Sequence, residues 1–496
     1  MGFLLLINPE SLMNLRTLLE PNRFHLLACL IILLGNPRII EATEPNRPNF
    51  LVLVSDDQRP DTIGVLGNPI IQTPNLDRLA RSGMIFTRAV CPFPLCVPSR
   101  AEILTGTSAL ENGVPFKAGQ LQGRTGRMRS DLVFWGDAMR SGGYHTWYCG
   151  KWMNDGSPKT RGYDETSALF SSGGAGPAGK QPRYNRNGRL ITGYRGWTFK
   201  TKDGIPELKK GIGLVGETSR YIADGAIALL EREIDRPFFL HVNFTAPHDP
   251  LVIPPGYKDK YNPARIPLPR NFASQHPFDH GNAKGRDEQL LPLPRTKNDI
   301  RDQLAAYYAV IDDMDTQIGR ILKKLKETGR SDNTIIIFTS DHGLAIGSHG
   351  LLGKQNMYEH TVGVPFIIAG KGIPKGARSS ALVYLRDMFP TTCELAGIAV
   401  PSTVTAQSFA PSLRGEKPST ARKTAYAYFY DSQRMIRTDR WKLIFYPQLK
   451  SYQLFDLKND PHELHDLSSD TAHADRLNQL RRQMEQWFRS RGDTVF

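Results

Sequence analysis

Short runs of consecutive apolar residues that end on acidic or histidine positions recur along the chain: "NFLVLVSDD" (49–57), "PFFLHVNFTAPHDP" (237–250) and "NTIIIFTSDHG" (333–343). Unbroken apolarity over so few residues predicts strands buried on both faces, each delivering its polar ending to one edge of a sheet. "VPFIIAG" (364–370) is a fourth such strand without a polar ending. Between the strands the apolar spacing changes to three and four. "TPNLDRLARSG" (73–83) predicts a helix with Thr73 as N-cap, Pro74 in its first position and Gly83 as its stop. "DLVFWGDAMRSGG" (131–143) predicts a helix ending on a glycine pair, and 299–329, with Leu304, Tyr308, Ile311, Ile318 and Leu322, a long amphipathic one. This alternation predicts an α/β fold, a large mixed, mostly parallel sheet sandwiched by helices, with its chemistry outside the carboxyl ends of the strands.

Two stretches lack periodicity. Residues 170–213 are rich in Gly, Arg and Lys, and 253–295 in Pro; both are long enough to be functional loops. From Pro401 the pattern becomes a linker, followed by short alternating strands ("TAYAYFY", "RMIRTDRWKLIFYP", "YQLFDL") and a terminal helix over 471–490. A smaller C-terminal antiparallel sheet packed by one helix is therefore expected.

The N-terminus reads differently. "LLACLIILLG" (26–35) follows Arg16 and Arg23 and precedes "PRIIEAT", a basic region, an apolar core and a cut after Ala42. The run is too short for the roughly 20 residues of a stable membrane span, so export by a signal peptide is expected. The chain thus divides into 1–42 as signal peptide, 43–400 as the main domain, and 401–496 as linker and small α+β subdomain.

Composition narrows the partners. Lys and Arg number 63 against 49 Asp and Glu, a net charge of +14, which favours an anionic partner. No Lys/Arg block, zinc-finger spacing or aromatic-studded basic repeat points to nucleic acid. Once Cys29 leaves with the signal, Cys91, Cys96, Cys149 and Cys393 are too few and too scattered for a disulfide framework. Cys91 reads as core. The acidic strand endings, Asp56 with Asp57 and Asp341 with His342, repel internally unless a cation or donor neutralises them, and oxygen ligands in that number favour calcium or magnesium.

"CVPSR" (96–100) matches the Cys-X-Pro-Ser-Arg signature of the type I sulfatases. With "LTG" (104–106), "GKW" (150–152), "PHDP" (247–250), "TSDHG" (339–343), "GK" (353–354) and "LFDLKNDPHELHDL" (454–467), all in the family's order, the chain resembles that family within the alkaline phosphatase superfamily. The likeness is to glycan sulfatases of the iduronate and N-acetylglucosamine sulfatase kind. The resemblance implies an alkaline phosphatase-like fold, 43–400 as the catalytic domain, and oxidation of Cys96 to formylglycine by a maturation enzyme. The hydrated aldehyde would attack sulfur, form a covalent sulfoenzyme, and expel sulfate through its second hydroxyl. Asp56, Asp57, Asp341, His342 and the modified Cys96 would ligate Ca2+, with Mg2+ less favoured. Many members carry Asn where His342 stands. Arg100 would orient the formylglycine, Lys151 and Lys354 would grip the sulfate, and His248 would protonate the leaving alcohol.

Two positions depart from the family pattern. Met153, followed by Asn154, stands where many relatives have a histidine that contacts the formylglycine, and Thr107 where many have Arg. The base for sulfate release is therefore unassigned. The reading is a sulfuric ester hydrolase acting on a sulfated carbohydrate or another small sulfate ester. A phosphonate or phosphodiester hydrolase of the same superfamily and a silent binder of sulfated ligands are the alternatives. The substrate, the position of the sulfate and the oligomeric state are not legible in the sequence.

Overall fold

Strand β1 (Asn49–Ser55) is buried along its whole length, and its side chains alternate between two apolar clusters. Leu51 and Leu53 enter one cluster with the helices Pro74–Arg81, Thr218–Leu230 and Lys297–Glu327. Phe50, Val52 and Val54 enter the other with Cys96–Thr105, Trp135–Ser141 and Met388–Ala396. A strand covered by helices on both sides has no polar face, which is why its sequence reads as one apolar run. The computed structural model describes residues 47–114, 127–174, 193–416 and 421–496. The expected signal peptide lies outside them, as does part of the Gly-rich stretch.

The large sheet runs β5-β4-β3-β6-β1-β7-β8-β2-β9. Its strands are β2 (Gly83–Val90), β3 (His145–Trp152), β4 (Glu165–Ser171), β5 (Thr198–Lys200), β6 (Phe238–Asn243), β7 (Thr334–Ser340), β8 (Phe366–Gly370) and β9 (Ala377–Tyr384). From β4 to β7 neighbours are parallel; β8 is antiparallel to both β7 and β2, and β5 to β4. The reversal of β8 explains its missing polar ending, because its carboxyl end lies at the opposite edge from those of β1 and β7.

Several local expectations give way to packing. Gly83 opens β2 instead of stopping the preceding helix, whose C-cap is Ser82. Here glycine serves a close strand approach, since a Cβ would lie 2.1 Å from the carbonyl oxygen of Ile368. The helix expected over 131–143 forms only at Trp135–Ser141. Strand β6 stops at Asn243, before the corner that carries His248. The long helix begins at a capping box between Thr296 and Asp299. All four of the remaining cysteines are buried free thiols, Cys91 included.

At the C-terminus β10 (Ala425–Phe429), β11 (Gln433–Arg437), β12 (Trp441–Tyr446) and β13 (Ser451–Asp456) form an antiparallel sheet in sequential order, and the helix Ala474–Arg489 buries Leu480, Met484 and Phe488. "RMIRTDRWKLIFYP" thus holds two strands, paired as a hairpin. A third apolar cluster joins this sheet to Val90, Phe93, Leu351 and Met357.

Four histidines surround Tyr358 beside that cluster. His349 stacks on its ring at 3.9 Å, His276 Nε2 lies 3.0 Å from its hydroxyl, and His280 and His360 sit against His276 and His349 at 5.3 and 5.7 Å between ring centroids. Burial, then the neighbouring His276, hold both His280 and His349 at about 3, against an ordinary 6.5. Lys442, Arg59 and Arg295 add to this from adjacent elements, while Asp279 and Asp460 oppose it. Because the folded state binds these protons more weakly than the unfolded chain, stability is complete above about pH 6.5 and lost as pH falls toward 3. Each of the two groups is expected to cost about 2 kcal/mol at pH ~5. Denaturant unfolding at pH ~7 and ~5 checks this, and equal stabilities would refute it.

Candidate active site

The Cys96–Thr105 helix places its first residue at the carboxyl edge of the large sheet. Cys96 and Arg100 are one helical turn apart and share a face, so the Cys-X-Pro-Ser-Arg spacing aims both at the same point. Ser99, on the flank of that face, donates from its hydroxyl to the Asp341 carbonyl at 2.7 Å and pins the helix to the end of β7. Asp56 and Asp57 follow β1. Asp57 turns into the left-handed region (φ 66°), its N–H donating to Asp341 Oδ1 at 3.2 Å and its carbonyl accepting from Tyr307. That turn lets two successive carboxylates face one centre instead of opposite faces of a strand.

Lys151 lies near the end of β3, a strand the apolar pattern did not reveal. The β3–β4 register shifts between Cys149 and Lys151, and Gly150 there has φ 89°, with a Cβ position only 2.0 Å from the Asn243 carbonyl oxygen. Gly150 with Lys151 is therefore a glycine bulge that re-aims the lysine. Lys354 and His248 come from long loops, His248 between two cis prolyl bonds.

These residues converge. Cys96 Sγ is 3.3 Å from His342 Nε2, 3.4 Å from Asp56 Oδ1, 3.7 Å from Lys354 Nζ and 3.9 Å from Asp57 Oδ1. Lys151 Nζ donates to Asp56 Oδ2 at 2.6 Å, and Lys354 Nζ to both oxygens of Asp57 at 2.7 and 2.8 Å. Arg100 Nε donates to Asp341 Oδ2 at 2.9 Å, and its other nitrogens reach Asn243 and, at 3.4 Å, Asp56. The carboxylates of Asp56, Asp57 and Asp341 thus face Arg100, Lys151 and Lys354, every one of them buried. Three charges of each sign cancel, so a divalent cation added here leaves the cluster with a positive excess, the sign an anionic ester needs.

Burial drives the Asp56 carboxyl upward, but Lys151, then His248, Arg100 and Lys354 overcome it and hold the group well below the usual carboxylate range. Asp57 ends raised, because burial, with Asp56 and Asp341 beside it, outweighs Lys354 and His342. Burial and then Asp56 push the Cys96 thiol well above its ordinary value. An unmodified Cys96 is accordingly a neutral thiol, a poor nucleophile and a poor ligand.

The donor set suits a hard divalent ion. Ligand atoms of Asp56, Cys96, Asp341 and His342 all lie within 4.8 Å of one another, and opposed ligands of a calcium ion stand about 4.6–5.2 Å apart. His342 Nδ1 is 3.1 Å from the Gly343 carbonyl, which fits an Nδ1–H donor and leaves Nε2 to face the centre. His248 lines the same centre from the other side, with Nε2 3.8 Å from Asp57 and Nδ1 2.6 Å from the Asp249 carbonyl. Burial, then Lys354, hold its imidazole well below the ordinary range.

Four partners went unread in the sequence. Tyr194 donates to Asp56 Oδ2, lies under Lys151 Nζ at 5.1 Å and packs edge-on against His248 at 4.7 Å. Asn243 holds Arg100, and Asp287 lies 3.8 Å from Lys354 Nζ. Arg386 bonds Glu102 on the signature helix at 2.6 Å. That contact supports the helix from a distant segment, while Thr107 is committed to the Thr403 carbonyl. Tyr194 and Asp287 belong to the two long loops, which were the only signal for them. Asn154 donates to the Val97 carbonyl at 3.0 Å, steadying the first turn of the helix without touching Cys96.

The family model described as sulfatase matches residues 48–398, and the one described as N-sulphoglucosamine sulphohydrolase, C-terminal, matches 347–490. The chain is 30% identical over 459 residues to an arylsulfatase of Clostridium perfringens, covering 88% of this chain and 93% of that protein. It is 28% identical over 546 residues to an N-acetylglucosamine-6-O-sulfatase of Bacteroides thetaiotaomicron, covering 95% and 90% respectively. A solved structure in complex with its substrate D-glucosamine-2-N,6-O-disulfate superposes with a TM-score of 0.73 at 25% identity, over 90% of this chain and 99% of that one.

Proposed function

The chain belongs to the sulfatase family and hydrolyses sulfate esters, and from that premise we propose that it releases inorganic sulfate from a sulfated carbohydrate, with Cys96 oxidised to formylglycine as nucleophile. The observation that carries this reading is the position of Cys96. Its side chain is buried at a helix N-terminus within 3.9 Å of Asp56, Asp57, His342 and Lys354, where an ordinary thiol has no chemistry to perform. The hydrated aldehyde would supply one oxygen to take up the sulfuryl group as the alcohol leaves and a second hydroxyl to expel it as sulfate, and a bound cation would lower the proton affinity of the attacking oxygen.

The chain's own residues do the rest. Asp56, Asp57, Asp341, His342 and the modified Cys96 hold the cation, for which calcium is proposed because its variable coordination tolerates a mixed set of carboxylates and imidazole. Lys151 and Lys354, each already anchored on a carboxylate, present ammonium protons to the sulfate oxygens and stabilise the charge that grows on them. Arg100 fixes Asp341 and Asp56 relative to Cys96 and so orients the nucleophile. His248 offers Nε2 to the leaving alcohol; it is neutral in the free protein, and an anionic ester beside it raises its proton affinity, readying it as general acid. The sulfated glucosamines named for the relatives, a 6-O-sulfate in one and a 2-N,6-O-disulfate in the other, motivate the carbohydrate, as does the net charge of +14. Residues 43–400 carry the reaction, 401–496 form the linker and small subdomain, and 1–42 direct export; among the described residues no helix is long and apolar enough to cross a membrane. A formylglycine-generating enzyme is the partner this chemistry requires.

Turnover is to be measured in parallel, as sulfate release from glucosamine-2-N,6-O-disulfate, a nitrophenyl sulfate and choline sulfate, and as alcohol release from a phenylphosphonate monoester. Preference for the sugar supports the proposal; faster turnover of the phosphonate would replace it with the phosphonate hydrolase reading. Removing the cation with EGTA is expected to lower kcat by at least about 100-fold. Saturating calcium should then restore activity and add about 3 kcal/mol of stability at a hundred times its Kd. Recovery with magnesium but not calcium would reassign the ion.

A further inference from the structure

A second cleft, about 740 Å³ in volume, is bounded by Arg59 and Asp61, which follow the Asp56–Asp57 pair in the chain, by Arg88 on β2, by Arg270 in the Pro-rich loop, and by His360. None of the residues placed in the reaction centre lines it. The volume falls within the roughly 300–1,000 Å³ that hold a small organic ligand.

The charges of the wall are unevenly used. Asp61 is held by two bonds from Arg59 at 2.8 Å. Glu359 is held by Arg437 at 2.9 and 3.0 Å, and Glu463 by Lys442 at 2.7 Å. Two cations remain. Arg88 bonds the Ser380 carbonyl through Nε, and neither it nor the exposed Arg270 has an ion pair among the described residues. Burial, then the nearby Arg437, pull the Arg88 guanidinium below its ordinary value, and the more distant Asp439 and Glu359 offset this only in part, which leaves room for an anion in direct contact.

The second observation is His360. It is 6% exposed and lines the cleft, yet neither ring nitrogen has a hydrogen-bond partner. A buried polar side chain without a partner is costly. A neutral imidazole carries one donor and one acceptor; both are closed to solvent in the stack with Tyr358 and His349, so a sugar hydroxyl pairs with one of them once the ring turns toward the cleft. Pro60, Pro267, Leu268 and Pro269 add apolar surface for the face of a pyranose ring.

We propose that this cleft is a second carbohydrate site, which binds an anionic segment of a sulfated glycan through Arg88, Arg270 and His360. The proposal rests on the reading of the substrate as a sulfated carbohydrate and deepens it: the natural substrate is an oligosaccharide, of which the reaction centre holds one sulfated residue and the cleft another.

Binding of a size-defined sulfated glucosamine-containing tetrasaccharide to the whole protein by calorimetry tests it, comparing the parent with a double variant, Arg88→Ala with Arg270→Ala. The variant is expected to bind about tenfold more weakly, with unchanged thermal stability and unchanged turnover of a nitrophenyl sulfate too small to reach the cleft. His360→Phe, which keeps the ring and removes both nitrogens, should weaken binding in the same way. Equal affinity of parent and double variant overturns the site, as does a parent that does not bind the tetrasaccharide. Variant-sensitive binding without sulfate release from any sugar supports the cleft while removing the proposed substrate of the reaction centre, so the two failures are distinguishable.

Discussion

A Cys96→Ser variant is expected to release at most one equivalent of alcohol from a sulfate ester and then stop. Serine places a hydroxyl where the formylglycine diol would stand, within the same ring of Asp56, Asp57, His342 and Lys354, so sulfuryl transfer to Oγ remains open. What serine lacks is a second hydroxyl on the same carbon, and without it the sulfate has no internal exit. Steady-state turnover should fall by at least about 10³-fold, with the peptide carrying position 96 heavier by about 80 Da after exposure to substrate. Cys96→Ala should show neither burst nor added mass. The unsubstituted protein from its own host should instead show that peptide about 18 Da lighter than the thiol form. Full multiple turnover by the serine variant would sink the formylglycine proposal, because a plain hydroxyl would then suffice.

Lys151→Ala should produce the second largest loss, in both activity and stability. Lys151 Nζ and Asp56 Oδ2 are 2.6 Å apart, and both side chains are wholly buried. Truncation leaves the carboxylate with Arg100 at 3.4 Å and the Tyr194 hydroxyl, neither of which replaces an ammonium in direct contact. An orphaned buried charge of this kind costs about 3–5 kcal/mol. A fall in kcat/KM of about 10³-fold is also expected, carried mainly by kcat, since Lys151 is proposed to act on charge that develops at the sulfate oxygens in the transition state. Denaturant titration and steady-state kinetics read the two effects separately. A kcat/KM within tenfold of the parent would assign Lys151 to structure alone.

The residues of the centre were largely legible, each for a local reason. Asp56, Asp57, Asp341 and His342 end apolar runs, and a run too short for a helix that ends on charge can only be a strand bringing those charges to an edge. Cys96 and Arg100 are spaced by one helical turn. Lys151 is legible as part of "GKW", but the strand that carries it is not, because "HTWYCGKW" alternates neither polarity nor size in a clear pattern. Strand β2 was hidden for a similar reason: Thr87 and Arg88 interrupt "GMIFTRAV", and the glycine before it looked like a helix stop. Only contact with β8 shows that Gly83 marks a close approach between strands. Asn243 and Arg386 carry no local sign, and Tyr194 and Asp287 only their place in the long loops, since the roles of all four depend on a partner remote in sequence.

By itself, the sequence determined which chemistries were available and where the strands and helices that bear them begin, because apolar period, caps and turn residues act over a few positions. The tertiary structure decided which groups meet. Lys354 reaches Asp57 across 297 residues of chain, and His342 reaches Cys96 across 246. Parallel strands supply the reason, since they bring their carboxyl ends to one edge however distant those ends are along the chain. The charge state of the cluster is likewise a tertiary property. Burial raises Asp57 and the Cys96 thiol and lowers His248, while Lys151 and Arg100, both remote in the sequence, hold Asp56 ionised.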